Sequence, residues 1–119
     1  MQTGNLIADK SMDFAVRIVN LYKYLKDSRS ETVISKQLLR SGTSIGANVS
    51  ESIYAQTRAD FKTKMYIALK EASESAYWIE LLRRTNYLTE SQAESILRDC
   101  KELIKILSSI TKTLKDKNS

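Results

Sequence analysis

Apolar residues recur along this chain at steps of three and four, the period that gathers side chains on one face of an α-helix. Phe14, Ile18, Leu21 and Leu25 share such a face and predict a first helix over about 7–26, after which Asp-Ser-Arg-Ser breaks the rhythm. Ser28, with Glu31 three residues later, has the form of a capping box. It predicts a second helix over about 29–55 that turns Ile34, Leu38, Ile45, Val49 and Ile53 inward. Thr57 followed by Asp60 is a looser cap for a third helix, about 58–86, with Phe61, Met65, Ala68, Ala72, Ile79 and Leu82 inward and Asn86 and Tyr87 closing it. Thr89 with Gln92 caps a fourth, about 90–115, which presents Ala93, Ile96, Leu97, Cys100, Leu103, Leu107, Ile110 and Leu114. The Lys-rich tail after Leu114 is expected to fray.

Every connection between these segments is short, so consecutive helices must run antiparallel. The fold class that follows is all-α, an antiparallel up-down-up-down four-helix bundle, in a single domain over residues 1–119. Composition agrees: there is no proline and there are only three glycines, so little interrupts helix. No apolar run approaches the roughly 20 residues that span a bilayer, and no signal-peptide core follows the N-terminal Met-Gln-Thr-Gly-Asn. A cytoplasmic protein without a membrane partner is expected.

Candidate chemistry is sparse. Histidine is absent, which removes the commonest base near neutral pH and the commonest metal ligand. The lone Cys100 can make no internal disulfide and reads as a small buried hydrophobe. Ser-Gly-Thr-Ser-Ile-Gly, residues 41–46, superficially suggests a phosphate loop, but no strand precedes it and the apolar rhythm runs through it. No catalytic residue, cofactor or metal is predicted, and the protein is read as a non-enzyme.

Two features exceed what a bundle core requires. On the third helix, Ile67, Glu71, Glu74, Trp78 and Leu81 step by four, three, four and three along a second stripe, which either flanks a broad core or meets a second subunit. On the second, Gly42, Gly46 and Ser50 recur every four residues; each interior glycine costs about 1 kcal/mol against alanine. Close approach of another backbone, from a bundle neighbour or a second subunit, would offset that cost. If the second and third helices form a hairpin turning near Gln56, Arg40 lies level with Glu71 and Glu74, and Glu51 with Lys62.

The segment from Gln37 to Glu51, Gln-Leu-Leu-Arg-Ser-Gly-Thr-Ser-Ile-Gly-Ala-Asn-Val-Ser-Glu, resembles the signature of the four-helix-bundle proteins encoded in intervening sequences of bacterial large-subunit ribosomal RNA genes. Residues 55–61 (Ala-Gln-Thr-Arg-Ala-Asp-Phe), 68–72 (Ala-Leu-Lys-Glu-Ala) and 77–82 (Tyr-Trp-Ile-Glu-Leu-Leu) resemble later motifs of the same family. The departure is Val49-Ser50-Glu51-Ser52, where the family commonly has a more acidic or alanine-rich ending. The resemblance implies a homopentamer, as in this family and in the similar accessory protein of diversity-generating retroelements, and it implies no enzyme. The retroelement relative partners a nucleic-acid enzyme, a reverse transcriptase, together with nucleic acid.

Charge then separates two readings, because Lys and Arg number 19 against 14 Asp and Glu. In one, an oligomeric module engages RNA, DNA or a ribonucleoprotein partner through a basic surface, with Arg17, Lys23, Arg40, Arg58 and Lys62 as phosphate contacts. In the other, a structural or protein-interaction pentamer has no nucleic-acid ligand. Arg40, Gly42, Gly46, Glu51, Ile67, Glu71, Glu74, Trp78 and Leu81 then hold helices or subunits together, and the surplus charge keeps the assembly soluble.

Overall fold

The computed structural model describes residues 6–118, with side chains over 6–115. It contains α1 (Leu6–Arg29), α2 (Val33–Ser52), α3 (Arg58–Arg84) and α4 (Glu90–Asn118), and no strand among the described residues. Helices α1 and α3 each pack on both α2 and α4, which closes the expected ring of four into a bundle measuring 46 × 25 × 22 Å. Phe14, Ile18, Leu25, Leu38, Ile45, Ile79, Leu82, Leu103 and Leu107 fill its axis and are almost wholly shielded from water. Leu21, Ile34, Phe61, Leu97 and Ile110 pack on the margin of this core, half-buried.

Small hydroxyls let the helices approach closely without orphaning polar atoms. The buried Ser11, Ser41, Ser75 and Thr111 each donate to a carbonyl about one turn back, and the Ser41 and Ser75 hydroxyls meet 2.9 Å apart between α2 and α3.

The α1–α2 connection departs from the predicted capping box. The Asp27-Ser28-Arg29 stretch contains neither glycine nor proline, so α1 continues through it, and Ser28 lies in the last turn of α1 and caps nothing. The chain reverses at Ser30, whose φ is 54°, and the Glu31 N–H returns to the Leu25 carbonyl at 2.9 Å. Glu31 itself does the capping. Its carboxylate accepts the backbone N–H groups of Val33 (3.0 Å), Ile34 (2.9 Å) and Ser35 (2.8 Å), which satisfies three of the four free donors that open α2. Burial by itself would raise the Glu31 pKa, but these N–H donors and the Ser35 hydroxyl outweigh it and hold the carboxyl below its ordinary value.

At its other end α2 stops at Ser52, three residues short of the predicted boundary. The inward position after Val49 falls to Ser52, whose hydroxyl donates to the Val49 carbonyl at 2.6 Å, while Ile53 lies past the last helical turn and is 58% exposed. The remaining boundaries follow the predicted signals. The Thr57 hydroxyl accepts the Asp60 N–H at 3.0 Å, and Thr89 and Gln92 exchange reciprocal bonds of 2.9 and 3.1 Å. Asn86 takes a φ of 68°, so that the N–H groups of Asn86 and Tyr87 close on the carbonyls of Arg83 and Leu82, a Schellman stop for α3. The tail expected to fray after Leu114 continues α4 to Asn118.

Leu103→Ala should cost about 2–5 kcal/mol in denaturant unfolding, since that side chain is 1% exposed at the bundle axis. Glu31→Gln should cost about 1 kcal/mol at neutral pH. Because the folded carboxyl titrates below its ordinary value of 4.5, its contribution is complete above that pH and is lost as the pH falls through the folded value, so the wild-type and variant melting curves should converge in acid.

Candidate nucleic-acid and subunit interfaces

The five predicted phosphate contacts do not form one patch. Arg17 is turned into the seam between α1 and α4, where its guanidinium donates to Asp99 Oδ2 (2.6 Å), the Ser95 hydroxyl (3.0 Å) and the Ser95 carbonyl (3.3 Å). Lys23 is exposed on α1, Arg40 on α2 and Arg58 at the first residue of α3, and Lys62 is half-buried. Glu51 does meet a cation of α3, but the partner is Lys64, at 2.8 Å, two residues beyond the Lys62 that the hairpin register suggested. The Lys64 pKa is raised by this hydrogen bond and by the Glu51 charge. Arg40 makes no ion pair with Glu71 or Glu74 among the described residues.

The glycine stripe has a clear neighbour. A Cβ at Gly42 would stand 2.8 Å from Cγ1 of Ile18, and one at Gly46 would stand 3.3 Å from the Ser11 carbonyl oxygen. Both glycines therefore admit α1, while Ser50 is exposed beyond them. On α3, Trp78 packs on the core margin and its indole N–H donates to Glu74 Oε2 at 3.0 Å, with Tyr77 edge-on to it. Ile67 and Leu81 are half-buried, and Glu71 holds one buried carboxylate oxygen, Oε1, that no donor reaches among the described residues.

Two surfaces escaped the sequence reading. On α1, Met12 and Val16 are 64% and 53% exposed and share a shallow apolar groove with Ala15 and Val19. The signal was present in the spacing Met12, Ala15, Val16, Val19, which follows the helix period opposite the Phe14 and Ile18 face. On α4, Arg98, Lys101, Lys105, Lys112 and Lys115 are all exposed and follow steps of three, four, seven and three. Their acidic neighbours Asp99 and Glu102 pair with Arg17 and with Lys10 (3.1 Å) on α1, in a groove that Arg98, Lys101 and Lys105 also line with Leu6, Ile106 and Ile110.

This bundle matches known proteins in sequence and in shape. The profile described as 23S rRNA-intervening sequence protein covers residues 4–109. The chain belongs to the 23S rRNA-intervening sequence protein family. A crystal structure from Bacteroides thetaiotaomicron, a protein of unknown function from the S23 ribosomal protein family, is 60% identical. It superposes with a TM-score of 0.89 over 90% of this chain and 99% of that one. No curated protein matches.

Within this intervening-sequence fold several titratable groups are spent on structure. Glu80 accepts hydrogen bonds from Arg83 and Arg84, which hold its carboxyl at about 2, and Arg83 continues to Glu90 at 2.8 Å with its own pKa raised. Arg29 donates to the carbonyls of Tyr87 (2.9 Å) and Asn86 (3.1 Å) and lies over the Tyr87 ring, fastening the end of α1 to the α3–α4 turn. Burial pushes the Cys100 thiol up to about 12, and its Sγ lies 3.2 Å from the Ala72 carbonyl, so it behaves as the core residue expected. Among the described residues no group of three or more acidic or cysteine side chains is arranged to hold a metal, and no helix is long and apolar enough to cross a membrane.

Proposed function

We propose that this chain is a non-enzymatic, homopentameric binding module that engages RNA or a ribonucleoprotein through its basic surface. The observation that carries the reading is the gathering of unpaired cations on one stripe of α4. Glu31, Glu51, Glu80, Glu90, Asp99 and Glu102 are all consumed inside the fold, as a helix cap or in ion pairs. Lys23, Arg40 and the α4 cations stand exposed with no internal ion pair among the described residues. Exposed acids without an ion pair among the described residues, such as Asp9, Asp13, Asp27 and Glu94, are scattered, and a surplus that only kept the chain soluble would not need its cations aligned.

Self-association is favoured by the apolar groove of Met12, Ala15, Val16 and Val19, together with the half-buried Ile67 and Leu81, and the five-fold number follows from the family resemblance. Repetition around a ring lets individually weak phosphate contacts sum to useful avidity. The purified protein should run on a sizing column with light scattering at five times its 13.6 kDa chain mass, and should retard a structured RNA at about 50 mM salt. A pentamer that retards no nucleic acid in those conditions leaves the interaction-scaffold reading in its place, and a monomer rejects the assembly.

A further inference from the structure

The line of cations on α4 is the best-defined charged feature of the molecule. Between Arg98 and Lys115 it extends about 26 Å along the helix at 1.5 Å per residue. With Ser108 filling the gap between Lys105 and Lys112, the steps become three, four, three, four and three, so the whole line lies on one outward stripe. None of its five cations makes a hydrogen bond or ion pair among the described residues. Glu94, one turn before Arg98, is the acid that bounds the line at its N-terminal end.

We infer that this ridge is the contact surface for the phosphodiester backbone of duplex nucleic acid. The inference rests on the nucleic-acid reading above and assigns it a place and a ligand class. Three alternatives fit the ridge less well. An anionic membrane requires an apolar helix face to insert beside the cations, but the apolar face of α4, including Ala93, Ile96, Leu103 and Leu107, is committed to the bundle core. Single strands are held by bases stacked on aromatic rings beside the basic track, and α4 contains no Phe, Tyr or Trp. An acidic protein partner could use the groove that Leu6, Ile106 and Ile110 form beside Arg98, Lys101 and Lys105, but the line of cations runs on past that groove to Lys112 and Lys115. What remains is a straight line of five exposed cations, whose neighbouring acids Asp99 and Glu102 are paired with Arg17 and Lys10, suited to rows of phosphates on a duplex and blind to base sequence. Duplex RNA and duplex DNA share this chemistry.

The test compares the full-length protein with the variant Lys101→Gln/Lys105→Gln/Lys112→Gln, all at exposed positions where glutamine preserves helix propensity. A control variant, Lys26→Gln/Lys36→Gln/Lys70→Gln, removes the same charge at exposed positions elsewhere. Binding of labelled duplex RNA, duplex DNA and single-stranded oligonucleotide is titrated from about 50 to 200 mM salt, with the melting temperature and light-scattering mass checked for each protein. The ridge predicts that the α4 variant binds duplex at least about tenfold more weakly and that its log-affinity against log-salt slope is shallower by about 3, close to 0.9 for each lost contact. The control variant should keep the wild-type slope, and the RNA and DNA arms identify which duplex is preferred. An unchanged slope in the α4 variant, or wild-type preference for the single strand, overturns the ridge while leaving nucleic-acid binding standing. Wild-type protein that binds none of the three overturns both.

Discussion

The bundle depends on the approach of α1 to α2 at Gly42. The nearest atoms to a Cβ there would be Cγ1, Cγ2 and Cβ of Ile18, at 2.8, 3.0 and 3.3 Å, all close to the backbone of a side chain that is stiff at χ1. Glycine gives up about 1 kcal/mol of helix propensity at this site, and the close packing of Ile18 on Gly42 offsets it. One turn further on, Gly46 repeats the arrangement against the Ser11 carbonyl, so the two helices are drawn together along a stripe rather than at a point.

That tight pairing leaves α1 more loosely set against α4, its other neighbour. The seam is held by polar side chains: Arg17 bridges to Ser95 and Asp99, and Lys10 to Glu102. These pairs are partly solvated and contribute little stability each. Their larger effect is on the surface of α4, because they occupy two of its acids with partners on α1 and leave Arg98, Lys101, Lys105, Lys112 and Lys115 without an ion pair among the described residues.

Much of the fold was legible in the sequence because helix period, caps and short links all pointed the same way. Thr57, Thr89 and Asn86 act as local chemistry predicts. The capping box at Ser28 misled because Glu31 serves α2 from one position before its N-cap, with its side chain reaching forward to three N–H groups, and spacing alone does not distinguish that from the reciprocal box. Ile53 misled because a four-residue step continues to count inward after the helix itself has ended. The charged surface was less legible. Arg17 looks free in sequence and is engaged by residues some eighty positions away, whereas the α4 lysines were hidden among acids whose partners only the folded seam reveals.

The measurement that bears most directly on this account is the unfolding free energy of Gly42→Ala. Alanine is the better helix former by about 1 kcal/mol, so a position with open space beside it would gain stability on substitution. The account predicts the opposite sign, a loss in stability as the added methyl forces Ile18 and α1 away from α2. A variant more stable than the wild type would contradict it.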